Sequence, residues 1–162
     1  MGSVGKVNST ETNKALKRLD KAAANTSQEW RDEYFEGDTR YIQNPITTKY
    51  DDNYWETQGE IYDKLSKLPG KDFGQSYMIK NSKIQTVPVN KIEGLQNYVD
   101  QSYLRTLIEQ NVGVNTKGHT GTGETILIKY KNKYWVMDGN HRVAAAKLRG
   151  KKEIKTKVFN LK

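Results

Sequence analysis

Apolar residues recur at helical spacing through the first part of the chain and alternate with polar ones through the last part. In residues 9–36, Leu16, Leu19 and Ala23 form one stripe, and Trp30, Tyr34 and Phe35 resume it beyond a break at Asn25-Thr26-Ser27. Thr26 and Glu29 have capping-box spacing, which predicts two helices rather than one. Residues 37–51, with Pro45 and several turn formers, predict a loop. Residues 52–68 place Trp55, Ile61, Tyr62, Leu65 and Leu68 at largely helical spacing and stop before Pro69-Gly70, so they predict a helix whose aromatics join the core.

From residue 81 the period changes. Ile84 to Val89 predicts a strand, and Leu95 through Ile108 a helix with Leu104, Leu107 and Ile108 on one face, joined by Tyr103. Two further strands, Thr125 to Tyr130 and Lys133 to Met137, are separated by Lys131-Asn132, a pair suited to a hairpin turn. A helix of small residues over 140–149 and an alternating strand from Ile154 to Phe159 follow. The expected class is α+β: a helical N-terminal extension, residues 1–80, on a compact domain, residues 81–162, with a small mixed sheet.

At 162 residues the chain suits one main core. It has no run of about 18 apolar residues to span a bilayer and no apolar leader, so a cytoplasmic protein without a membrane partner is expected. With no cysteine, disulfides, thiolate metal sites and thiol catalysis are excluded. The net charge of +8 is uneven: residues 1–80 carry 12 basic and 13 acidic side chains, residues 81–162 carry 15 and 6. That excess points to a polyanionic partner, nucleic acid or a nucleotide, unless it is only a solvated lysine-rich face.

The chemistry concentrates where the strand ending at Asp138 turns through Gly139-Asn140 into a helix bearing His141 and Arg142. Such a turn directs N–H groups and the positive end of a helix dipole at one point, which favours an anion such as phosphate. His141 and Arg142 add side-chain donors, and a guanidinium holds two phosphate oxygens at once. The plainer alternative is a turn leading into a packing helix, with Arg142 paired to a carboxylate.

The run Asp138-Gly139-Asn140-His141-Arg142-Val143-Ala144-Ala145-Ala146-Lys147 resembles the ParB/sulfiredoxin superfamily, whose signature is a strand, a Gly-x-x-Arg-type turn and a helix of small residues. The likeness extends over Ile84 to Val89, the strand before Tyr130, and Gly150 to Phe159, about residues 81–162. It implies a ParB/sulfiredoxin-like fold with phosphate bound by Gly139, Asn140, His141 and Arg142. The sulfiredoxin Gly-Cys-His-Arg aligns with Gly139-Asn140-His141-Arg142, where Asn140 replaces the nucleophile, so sulfinic-acid repair is not expected. Only Arg142 of the ParB Glu-Arg-Arg pattern remains, which speaks against a clamp-forming CTPase. The Asp-Gly-x-His-Arg form is nearer to ParB-like nucleases and to a small-molecule kinase branch in which the residue matching Asp138 acts as base.

A second segment, Gly118-His119-Thr120-Gly121-Thr122-Gly123-Glu124-Thr125, has P-loop glycines but carries Glu124 where the phosphate-binding lysine belongs, and it opens a β-branched strand instead of a helix. It reads as a substrate loop or lid, with Lys117, His119, Thr120, Thr122 and Thr125 as candidate contacts. His119 and His141, the two histidines, would provide acid or base chemistry if they met, beside Asp138 and Glu124 as candidate catalytic carboxylates. No spacing is diagnostic of a protein-ligated metal, and none is expected; Mg²⁺ would enter with the phosphate of a nucleotide or nucleic acid. Lys129, Lys131, Lys133, Lys147, Arg149, Lys151, Lys152, Lys155 and Lys157, with Tyr130, Tyr134 and Trp135, would track a nucleic-acid backbone, or simply solvate a half-buried edge strand. The function expected first is a nuclease-like phosphodiesterase. A nucleotide-dependent phosphotransferase is the alternative, as is a non-catalytic binding module docked through its N-terminal helices to a phage or mobile-element assembly.

Overall fold

The computed structural model describes residues 9–115 and 124–162. Helix α1 (Ser9–Asn25) is followed by α2 (Gln28–Phe35), as the break predicts, with the cap one residue later than expected. Ser27 accepts the Trp30 N–H at 3.1 Å, whereas the Thr26 hydroxyl donates to the Ala22 carbonyl and accepts the Gln43 N–H. Thr26 therefore ties the helices to β1 (Tyr41–Gln43), a three-residue strand inside the expected loop. It is too short for alternation to register.

Helix α3 (Asp52–Leu65) turns Tyr54, Thr57, Ile61 and Leu65 inward. Trp55 and Tyr62 were expected in the core, but each lies one position off that stripe and they are 41% and 39% exposed. A short helix α4 (Gln75–Lys80) precedes β2 (Lys83–Pro88). After a 3₁₀ turn come β3 (Ile92–Gly94) and β4 (Tyr98–Asp100), and only then α5 (Gln101–Glu109). The helix expected from Leu95 starts late because Asp100 caps it, accepting the Ser102 and Tyr103 N–H groups. The residues before that cap are extended and pair with β1.

The last part runs β5 (Ile126–Tyr130), β6 (Lys133–Asp138), α6 (Asn140–Leu148) and β7 (Glu153–Asn160). Lys131 and Asn132 join β5 to β6 with φ of 50° and 67°, the paired positive angles of a two-residue hairpin turn. The main sheet has the order β2-β7-β5-β6-β3, alternately antiparallel and parallel, so it is mixed. The protein is thus a small α+β fold. β7 lies inside the sheet, bonded on both sides, and is not the edge strand expected from its lysines. Alternation reports the two faces of a strand, here Ile154, Thr156 and Val158 against Lys155 and Lys157, and says nothing of its neighbours.

The sheet separates two cores. Ala15 and Leu19 of α1, with residues of α5 and α6, pack on Leu127, Val136 and Val158; Ile61, Leu65 and Met78 of α3 and α4 pack on Ile126, Ile128, Trp135 and Phe159. Ile61→Ala is expected to cost about 2–5 kcal/mol, and Trp55→Ala on the outer face less than half as much, read from urea denaturation. Equal losses would place Trp55 in the core.

Candidate functional site

The turn after β6 begins with a register shift. Leu127 faces Val136 and Ile126 faces Asp138, so Met137 and Asp138 together oppose one residue. This bulge re-aims the Asp138 side chain. Strict alternation from Val136 would turn Asp138 toward α6; instead its Oδ2 accepts the Gln75 Nε2–H at 3.0 Å from α4, across the sheet. The same row continues through Ile126 to Lys157 and Ile84.

Gly139 has φ of 97°, and a Cβ there would meet Thr125 Oγ1 at 2.5 Å, so the position excludes a side chain both by conformation and by space. Gly139 also caps α6 without a side-chain acceptor. The N–H groups of Asn140 and His141 consequently have no partner among the described residues. They are among the N–H groups that the first turn of any helix leaves without an intrahelical acceptor.

The side chains of this first turn diverge. Asn140 is buried and accepts the Nδ2–H of buried Asn44 at 3.1 Å. His141 is half-buried against the Tyr103 ring, and its Nε2 accepts the Asp100 backbone N–H at 2.9 Å. An acceptor at Nε2 requires that nitrogen to be unprotonated. Burial pushes the imidazole down from 6.5 to about 4, against a small opposing pull from the Asp100 carboxylate. His141 thus serves as a neutral link between α6 and the start of α5, and the expected phosphate or leaving-group contact through Nε2 is taken. Arg142 is 6% exposed and lies inside the fold at the base of the turn.

Thr125 is also turned inward: it is 2% exposed and its hydroxyl donates to the Val114 carbonyl, so it supports Gly139 where a substrate contact was expected. It precedes a strand, and a P-loop would need a helix there. Glu124 forms an ion pair with Lys157 Nζ, which places it near the Asp138 row without joining it. Lys117, His119, Thr120 and Thr122 lie outside the described residues.

The basic cluster divides in two. Lys147 and Arg149 donate to the Ile46 and Ile108 carbonyls and are structural; burial lowers the Lys147 pKa. Lys131, Lys133 and Lys157 are paired with Glu60, Glu93 and Glu124, while Lys151, Lys152 and Lys155 are exposed. Sequence reasoning missed Gln75, Asn44 and Asp100, which hold Asp138, Asn140 and His141 from distant parts of the chain. Among the described residues, no three His, Asp or Glu side chains converge on a cation position, and no helix is long and apolar enough to cross a membrane.

Comparison of the chain with protein-family models, with curated proteins and with solved structures finds no match.

Two outcomes test the geometry of the turn. Gly139→Ala should destabilise the fold by about 1–3 kcal/mol, measured by chemical denaturation; a neutral change would mean that the turn is not held against Thr125. His141 is neutral in the fold down to about pH 4, but its unfolded imidazole takes a proton near 6.5, so protons favour unfolding within that window. Its contribution is complete above the upper value and is lost as pH falls toward the lower one. The urea midpoint of the wild type should fall more steeply over this range than that of His141→Gln, and parallel curves would rule out a buried neutral imidazole.

Proposed function

We propose that the protein binds nucleic acid through its phosphodiester backbone at the 138–142 turn and cleaves it as a nuclease-like phosphodiesterase. The observation that carries this reading is the pair of N–H groups at Asn140 and His141 without an acceptor among the described residues, beside a carboxylate that the β6 bulge turns to the α4 side. A phosphate oxygen seated on the two N–H groups would be held by the helix start and by the field of Arg142. Asp138, fixed by Gln75, would take a proton from the water that attacks phosphorus. The displaced ribose oxygen would leave with a proton from solvent, since His141 is committed to Asp100. Any Mg²⁺ would be carried by the phosphate, with Asp138 as its protein contact.

Lys157 and Lys155, on the same face of β7, extend the positive charge along this row. The ion pair of Lys157 with Glu124 does not remove it from such a surface: a solvent-exposed pair is worth only about 0–1 kcal/mol, and a polyanion that releases counterions displaces the glutamate readily.

A second reading, a non-catalytic binding module, draws support from the same His141, because its withdrawal leaves one carboxylate and no general acid among the described side chains of the turn. End-labelled single- and double-stranded DNA and RNA oligonucleotides with Mg²⁺ separate the two. Cleavage should fall at least about 100-fold in Asp138→Asn, the scale of a lost general base, with oligonucleotide affinity retained. Salt-sensitive binding of uncleaved oligonucleotide by the wild type would establish the binding module, and absence of binding would remove both.

A further inference from the structure

The loop between α3 and α4, Pro69-Gly70-Lys71-Asp72-Phe73-Gly74, contains three residues with left-handed backbone: Gly70 at φ 101°, Phe73 at 59° and Gly74 at 78°. At the glycines this conformation meets no steric penalty. At Phe73 it does: a bulky side chain with positive φ is an outlier that persists only where its surroundings impose it. Burial offsets little of that strain. Phe73 is 44% exposed, and its ring contact among the described residues is with Tyr62, edge-on at 6.0 Å between centroids and itself 39% exposed.

The loop is fixed on both sides of the ring. Asp72 accepts the Ser76 N–H at 2.9 Å and the Ser76 hydroxyl at 2.5 Å, while a Cβ at Gly74 would meet Leu68 at 2.8 Å. Directly after Gly74 comes Gln75, whose Nε2–H is donated to Asp138 Oδ2 at 3.0 Å. Two residues of chain span at most about 7 Å. The strained, outward aromatic therefore stands on the same short segment that holds the candidate catalytic carboxylate.

Resting on the phosphodiesterase reading of that carboxylate, we propose that Phe73, with Tyr62 beside it, stacks on a nucleobase of the strand held at Asp138, so that the substrate is single-stranded nucleic acid. Every base has a π face, and an exposed ring on a protein surface binds it whatever the sequence. In a duplex those faces are covered by the neighbouring base pairs, and a fixed ring reaches them only in an unpaired strand. Phosphates and bases then have separate partners: Lys155 and Lys157 in the row of Asp138, and Phe73 on the loop before α4. The acids close to the ring in sequence are engaged, Asp72 with Ser76 and Asp63, next to Tyr62, with Lys67 at 3.1 Å.

Labelled single-stranded and duplex oligonucleotides of one sequence, DNA and RNA, are titrated by fluorescence anisotropy in EDTA against the wild type, Phe73→Leu and Phe73→Gly. Single-strand affinity should fall about tenfold in both variants, the scale of one lost base–aromatic stack, with weaker duplex binding unchanged. The urea midpoint of Phe73→Gly should stand at or above that of the wild type, because glycine relieves the left-handed backbone. A lower midpoint would make the ring a packing element and overturn the proposal. Single-strand binding that survives in Phe73→Leu, or equal losses on both forms, would overturn it while leaving the phosphodiesterase reading in place. A wild type that binds neither form would remove that reading and this inference together.

Discussion

Gly139 lies so close to Thr125 that one added carbon would meet the threonine hydroxyl at 2.5 Å, and the directions of the next two side chains follow from that contact. With the start of β5 locked under the turn, α6 must leave β6 abruptly. Asn140 then enters the interior toward Asn44 and His141 reaches the start of α5, while the bulge of β6 leaves Asp138 on the α4 side. Each of these contacts joins the turn to a different segment. The site is therefore a junction, held by hydrogen bonds across the chain as much as by packing.

Two of these contacts involve polar groups with little access to water, which sets their energetic character. Asn44 is fully buried and is satisfied at every side: its amide donates to Gln96 and Asn140, and its carbonyl accepts the Ile46 N–H. Its Nδ2 would lie 2.4 Å from a Cβ at Gly94, so β3 is also fitted to this asparagine. Removing one partner from such a network leaves the others unpaired, at about 1–3 kcal/mol for each orphaned group. A network of this kind specifies one arrangement of the turn, which is what a site needs if its N–H groups are to stay open.

The elements legible in the sequence were those whose local pattern is long enough to be unambiguous. The hairpin turn, α6 and β7 could be read from a turn pair, a run of small residues and the alternation over residues 154–159. β1 and β4 could not, because three residues carry no period and their pairing is a tertiary fact. The position of the turn was legible because a glycine between an apolar strand and a helix has few other uses. Its partners were not. Gln75 lies 63 positions from Asp138, and Asn44 lies 96 from Asn140. His141 shows the difficulty most clearly: a histidine beside a glycine turn suggests chemistry, but the backbone N–H that occupies its Nε2 belongs to Asp100, a helix cap 41 positions away.

The bulge in β6 settles which face of the sheet receives the Asp138 carboxylate. Trp135 and Met137 lie on the α3 and α4 side by ordinary alternation, and Asp138 would fall on the opposite side, under α6, where Val143, Ala144 and Ala145 are fully buried. A carboxylate there would have to lose its charge or find a buried partner. One extra residue opposite Ile126 turns it back beneath Gln75, so the indole of Trp135 and the carboxylate of Asp138 lie on the same face at two ends of one strand. The opposite face is thereby left free to be apolar. It can then pack α1, α5 and α6 closely enough to anchor the turn from behind.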